Sequence, residues 1–462
     1  MGTEASAAHT ACTTAAACPA AAARAPVDHD PVDDPPSCPA RHGNPGELRP
    51  EWAASTGHGP LTRVTLPSGD RAWLVTGYRE VRALATDSRI SADATHPNYP
   101  ELVHVPEESP PDRRSAAQTR TFVQMDPPEQ GAHRSLLVPH FGGRRIAALR
   151  PMVTATVDAL LDRMLTAGPP VDLVAEFAAP LPARVLTELL GIADADRAFF
   201  AERLARGPSG IGALAPYLDR VLRDRADALP DRAGHDPGGR PHPQPHTGPG
   251  DEPAENILDT LAAHARTGTL THRQALATAM MLLVAGHETT ENTLAVGTPL
   301  LLAHPGRFAA LRRDPEAMPA AVEEVLRHVS TADVLSRVAT APVEIAGVRI
   351  RAGEGVLLWL AAANRDGAAF PLPDTFDILR AGPRHLAFGH GFHLCLGNTL
   401  ARLELGVAFA ALATRVPTLR PAVPLDRVPA KPAPGLRGIT ELPVTWDAPT
   451  TGAPTAAPAG PQ

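Results

Sequence analysis

The stretch Phe388-Gly389-His390-Gly391-Phe392-His393-Leu394-Cys395-Leu396-Gly397, continued by Asn398-Thr399-Leu400-Ala401-Arg402-Leu403-Glu404-Leu405, decides how this chain is read. Gly389 and Gly391 in its first half do not suit regular structure. In its second half Leu396, Leu400, Leu403 and Val407 recur at the spacing of one helical face, which predicts a helix starting near Leu396. Cys395 therefore stands where an irregular loop enters a helix. Unpaired backbone N–H groups and the positive end of the helix dipole favour a thiolate there, below the roughly 8.5 of a free thiol. Gly391 permits backbone angles closed to other residues, and Gly397 lets the first turn approach a flat ligand. Phe388 can exclude water beside the sulfur. On these residues alone the segment fits a glycine-rich turn with a buried cysteine, a nucleophile paired with His393, or a ligand-binding loop.

Outward from this segment, the 462 residues suffice for two or three ordinary domains or one large one, and 44% apolar residues supply a core. A net charge of −7 argues against nucleic acid as the main partner. Arginine is abundant, but Lys431 is the only lysine. The longest apolar run, Ala275 to Gly286, contains Thr278, leads into His287 and Glu288, and is too short for a bilayer. The first residues show no charged-then-apolar leader pattern. The expectation is a cytoplasmic protein without a membrane partner. Of the four cysteines, Cys12, Cys18 and Cys38 lie in an Ala/Thr/Pro-rich arm, which leaves Cys395 alone in the folded body and argues against a disulfide framework.

Composition predicts a disordered arm over 1–45, one domain over 46–446 and a disordered tail over 447–462. A flexible Pro/Gly-rich insertion is expected at 230–253; its His235, His242 and His246 have no acidic or thiol ligands at useful spacing. "LTRVTL" and "RAWLVT" read as a hairpin around Pro67-Ser68-Gly69-Asp70. "VEIAGVRI", "GVLLWL" and "ITELPVTW" read as further strands. Thr271 and Gln274 form a capping box that opens a long helix to about Ala303, with Pro299 bending its last turns. Val322, Val325, Leu326 and Val329 mark another amphipathic helix. The expected fold class is mainly α, with a small β region built from distant segments.

Four fixed elements of the opening stretch, Phe388, Gly391, Cys395 and Gly397, followed by "LARLEL", resemble the haem-binding loop of the cytochrome P450 family. Ala285-Gly286-His287-Glu288-Thr289-Thr290 resembles that family's oxygen-binding motif, and Glu324-Val325-Leu326-Arg327 its Glu-x-x-Arg motif. "AAANRD" and "FPLPDTFDI" resemble the segment leading to the cysteine loop. The resemblance covers roughly 48–446 and is of the soluble bacterial, actinobacterial type.

The resemblance implies haem b held between the long central helix and the helix after the cysteine loop, with Cys395 as iron ligand. The activity it implies is O2-dependent hydroxylation or epoxidation of a bulky apolar small molecule, in secondary metabolism or xenobiotic oxidation. A thiolate ligand pushes electron density onto iron and favours O–O cleavage. Ala285 and Gly286 are expected to leave room for O2, and Glu288 and Thr289 to form the acid–alcohol pair that governs protons. The Thr289 hydroxyl can bond back to a carbonyl one turn earlier, near Ala285. The propionates are expected on His393, Arg337 and Arg134; Gln130 stands where the family often has a histidine. Glu324 and Arg327 share a helix face and pair for structural reasons. Their usual third partner, an arginine, is Thr375 here. Substrate contacts are expected from Ser91 to Val123, Leu283, Ala285, Ala332 to Leu335, and Ile439. Electrons are expected from a ferredoxin and its reductase, with Arg402 on the docking face, and the chain is expected to be a monomer. Two other classes fit parts of the pattern: a non-catalytic haem-thiolate gas or ligand sensor, which has no need of Glu288 and Thr289, and a thiol hydrolase using Cys395 and His393.

Overall fold

Caps, prolines and glycines cut this chain into helices joined by short turns. A computed structural model gives the arrangement for residues 59–66, 68–102, 118–229, 256–431 and 435–447. The expected arm, the 230–253 insertion with its three histidines, Cys12, Cys18, Cys38, the tail past Asp447 and positions 103–117 of the expected substrate loop lie outside the described residues.

The order begins β1 (Leu61–Thr65), β2 (Arg71–Val75), α1 (Tyr78–Leu84), β3 (Ile90–Ser91), α2 (Glu129–Ser135), α3 (Gly143–Ala148) and α4 (Arg150–Ala167). It continues with β4 (Val171–Asp172), α5 (Pro180–Leu190), α6 (Arg197–Ala205), α7 (Gly207–Gly212), α8 (Ala215–Ala228) and α9 (Ile257–Arg266). Then come α10 (His272–Leu302), α11 (Pro305–Arg313), α12 (Met318–Val329), β5 (Val334–Ala339), β6 (Val343–Ile345), β7 (Val348–Ile350) and β8 (Gly355–Trp359). The order closes with α13 (Leu360–Ala363), α14 (Asn398–Arg415), β9 (Arg420–Pro421) and β10 (Pro443–Thr445).

The central helix is α10, 31 residues long. Its Thr271 hydroxyl accepts from the Gln274 N–H at 3.1 Å, and the Gln274 carboxamide accepts from the Thr271 N–H at 2.9 Å. The helix runs on through Pro299 to Leu302. From Thr290 to Pro299 every residue is buried, because α5, α8, α9, α11, α12 and α14 pack around it. Glu291, on this buried stretch, takes the ammonium of Lys431 at 2.6 Å.

The main sheet has the order β1-β2-β8-β5-β3, with β2 and β8 parallel and the other pairs antiparallel. Period-two alternation sorts its side chains onto two covered faces. Trp73, Val75, Val356 and Leu358 join one core; Ala72, Leu74, Leu357 and Trp359 join the other. The hairpin, "GVLLWL" and the β10 segment fall where the sequence puts strands. The "VEIAGVRI" strands, β6 and β7, pair only with each other. Strand β5 has no alternating pattern, and Ser336 and Arg337 interrupt it. It is nonetheless a central strand, paired on both sides.

Two sequence expectations need correction. Helix α14 begins at Asn398, two residues later than Leu396, because Leu394 and Cys395 are still held by turn bonds to Gly391 and Phe388. The Glu324–Arg327 pair also has its third charge. Arg327 forks onto Glu324 at 2.7 and 2.8 Å, and Arg380 Nε reaches Glu324 Oε1 at 3.2 Å. Thr375 contributes its carbonyl, which accepts from Arg380 at 2.6 Å and from Arg327 at 3.3 Å. Buried charges need this level of pairing to offset desolvation.

Candidate active site

The cysteine loop is built from backbone bonds. The Cys395 N–H donates to the Phe388 carbonyl at 2.8 Å and the Leu394 N–H to Gly391 at 3.1 Å, so Gly391–His393 forms one turn of 3₁₀ helix. Gly391 has φ +67°, and a Cβ there would run into the Ala85 carbonyl oxygen. Both reasons demand glycine. Gly397 has no protein atom closer than 3.8 Å to where its Cβ would be, so a side chain there would fill the space beside the loop.

Burial pushes the Cys395 thiol up, and the Gly397 N–H, Arg134 and Arg402 pull it only partly back. Desolvation of this half-buried thiol works against the low pKa expected from a helix terminus, and the helix itself starts three residues further on. A half-buried thiol of this kind becomes a thiolate when a metal ion takes it. His393 makes no hydrogen bond to the thiol, which removes the geometric basis of the hydrolase reading.

Beside the loop stand three donors. His393 is pushed down to about 4 by burial, then by Arg337 and Arg134 against the opposing pull of Asp126. Its Nδ1 is buried with no hydrogen-bond partner. Arg337, from β5, is buried and donates to the Ser336 carbonyl at 2.7 Å. Arg134, from α2, donates to the Leu394 carbonyl at 2.6 Å. Two guanidiniums and an unsatisfied imidazole form an anion-accepting set, which fits a cofactor carrying two carboxylates. Gln130 is buried and donates to the Phe392 carbonyl at 2.8 Å, so it supports the loop from within.

On α10, Val284 and Ala285 are exposed on a helix whose next turns lie in the core. The Thr289 hydroxyl donates to the Ala285 carbonyl at 2.6 Å. Glu288 is half-buried beside it. Gly286 serves another purpose than the one expected: its missing side chain faces Leu186 of α5, where a Cβ would come within 2.7 Å. His287 is buried, with Nε2 3.1 Å from the Ala179 carbonyl, which turns it away from the open strip. Of the expected substrate contacts, Ala285, Ala332, Val334 and Leu335 keep exposure, whereas Leu283 and Ile439 are fully covered. The sequence reading missed β5 as the carrier of Arg337 and missed Arg380 altogether. Arg402 is bound to Glu323 and Asn398. Among the described residues no helix is long and apolar enough to cross a membrane.

Comparison with known proteins agrees with this arrangement. The cytochrome P450 family model matches residues 213–415. Pentalenic acid synthase of Streptomyces avermitilis is 43% identical over 393 residues, covering 84% of this chain and 91% of that protein. The 20-oxo-5-O-mycaminosyltylactone 23-monooxygenase of Streptomyces fradiae is 40% identical over 400 residues, covering 86% and 89%. The crystal structure of the mycinamicin VIII C21 methyl hydroxylase of Micromonospora griseorubida superposes with a TM-score of 0.76 at 34% identity, covering 89% of this chain and all of that one. Two of these relatives are named as a monooxygenase and a hydroxylase, which supports the enzyme reading and not the sensor reading. Matched over nearly the full length of such relatives, the chain belongs to the cytochrome P450 family and is a haem-dependent monooxygenase.

Proposed function

We propose that Cys395 is the iron ligand, that Arg134, Arg337 and His393 hold the haem propionates, and that Phe388, Gly391 and Gly397 shape the proximal wall. Ala285 leaves room on the other side, with Gly286 fixing the helix behind it. The observation that carries this reading is the buried, unsatisfied Nδ1 of His393 between two arginines, two residues from the one cysteine among the described residues. Haem bound there supplies electron storage and oxygen activation, which the thiolate favours. The chain's own residues position and protonate. Thr289, tethered to the Ala285 carbonyl, presents a hydroxyl at the open strip; Glu288 relays protons to it from outside.

The substrate is a bulky, mainly apolar small molecule of secondary metabolism or a xenobiotic, hydroxylated or epoxidised. The exposed Ala285 and the partly exposed, apolar Val334 and Leu335 support this, as do relatives named for pentalenic acid and mycinamicin VIII. O2 is the co-substrate. A separate ferredoxin and its reductase deliver electrons to a cytoplasmic monomer. The test is the spectrum of the reduced protein under CO. A strongly red-shifted Soret band is expected from the native chain and its loss from Cys395→Ala; retention of the band in that variant refutes the assignment. Turnover with NADPH by the purified chain alone would refute the separate donor.

A further inference from the structure

The underside of the cysteine loop is held by charges that the proton chemistry does not use. Arg402, early in α14, forks onto Glu323 of α12, with Nε–Oε1 at 2.6 Å and Nη2–Oε2 at 3.0 Å. Its Nη1 donates to the Asn398 carboxamide oxygen at 2.8 Å, and Asn398 Nδ2 donates to the Cys395 carbonyl at 2.7 Å. The same guanidinium lies over the Phe388 ring, 4.6 Å from its centre. His385 Nε2 stands 3.2 Å from Glu323 Oε2, the oxygen that also accepts from Arg402 Nη2. Burial opposes ionisation of Glu323, but the Arg402 fork and the neighbouring His385 imidazole overcome it and hold the carboxyl at about 2. Two full charges of opposite sign are thus stacked outward from the loop, the cation against Phe388 and the anion behind it.

We propose that Glu323 and Arg402 are positioning residues that set the reduction potential of the iron through the Cys395 loop, Arg402 raising it and Glu323 offsetting Arg402. The proposal rests on Cys395 being the iron ligand. Reduction adds one electron from an external donor to the ferric centre and leaves the iron–thiolate unit one charge more negative. A nearby cation favours that state and a nearby anion disfavours it. By Coulomb's law, a unit charge on the order of 10 Å from a redox centre would change a one-electron equilibrium about twofold at the dielectric of water and more than about tenfold at an effective dielectric of about 20, so about fourfold for partly exposed groups between those limits. A pair that merely stapled the loop would act otherwise: losing either partner would loosen the loop in the same way.

The experiment is a dithionite titration of the haem-loaded, substrate-free full chain at low salt, with redox mediators, alongside its melting temperature. Glu323→Gln is expected to favour the ferrous form about fourfold and Arg402→Gln to disfavour it by a similar factor. The double variant should return close to the native value, and Arg402→Lys, which keeps the charge but loses the fork, should stay near it. Single variants that shift the same way, or not at all, overturn the proposal. Should Arg402→Gln not retain haem, Glu323→Gln decides alone: its shift must be toward ferrous and must shrink as salt rises. The native CO spectrum separates the two levels of failure. Absence of the thiolate band sinks the Cys395 assignment; its presence with potentials that do not diverge sinks only this inference.

Discussion

Thr289 uses its hydroxyl on the carbonyl of Ala285, at a strip in the middle of α10 that stays open between packed turns. Removing that hydroxyl should leave haem content and NADPH oxidation largely intact. Product should fall and H2O2 rise, within the 10²–10⁴-fold span typical of proton positioning. The measurement is product and peroxide per NADPH; native-like coupling in Thr289→Ala would show the hydroxyl to be dispensable. Gly391→Ala forces a side chain into a left-handed position against the Ala85 carbonyl. It should cost at least about 1 kcal/mol and weaken haem retention, read from melting and from the Soret-to-protein absorbance ratio. At this scale the sequence was readable where residues cluster in a motif, as Phe388 to Gly397 and Ala285 to Thr290 do. The fate of His393 Nδ1 and the upward push on Cys395 were not readable, because burial comes from distant elements such as β5 and α2 that no local pattern announces.

Between elements, the same kind of residue changes meaning. Gly286 looks like space for a ligand when α10 is drawn alone, yet once α5 is in place Leu186 fills the groove it leaves. Gly286→Val should therefore lower stability by roughly 1–3 kcal/mol through overpacking, and the effect should persist in protein stripped of haem. Unaltered melting would mean that α5 moves aside without cost. Arg380 makes a comparable case. It lies five residues past the position where an arginine was looked for, and the chain bends so that the Thr375 carbonyl turns inward while Arg380 reaches Glu324. Arg380→Met leaves Glu324 with less compensation, though still forked by Arg327, and should destabilise by about 1.5–3 kcal/mol, whereas Thr375→Arg should bring no gain. Long periodic helices with caps were legible; β5 was not, since a strand buried by its neighbours carries little of its own signal.

For the molecule as a whole, buried titrating groups give stability a definite pH profile. His328 is pushed down to about 2 by burial and then by surrounding arginines, and His140 to about 4 chiefly by burial. Both are neutral when folded, but the unfolded chain takes up their protons below about 6.5. Their contribution is present above that pH and is lost as pH falls toward the folded values. Glu404 runs the other way. Burial raises it to about 8, and its Oε2 has no hydrogen-bond partner. The folded state binds its proton more tightly, so its contribution is full below about 4.5 and is lost as pH rises through about 8. Glu404→Gln should melt above the native protein at pH 8 to 9, with the gap closing toward pH 5. A gap independent of pH would show that the carboxyl does not titrate there.

Among the described residues the ion pairs are made mainly by arginine, with a few histidines, and amine-directed reagents ignore both. Lys431 is the one amine among them, and its ammonium is already committed to Glu291 on the central helix. An amine-directed acylating label therefore has one side-chain target in the protein, besides the α-amino group, and it attaches there only when the Lys431 amine leaves Glu291 and sheds its proton. The labelling rate at Lys431, followed by mass spectrometry of the peptide that carries it, becomes a clock for the breaking of that ion pair. Glu291→Gln should make the clock run faster. Cross-linking chemistry that depends on lysine will stay silent over the rest of the surface, wherever an electron donor docks.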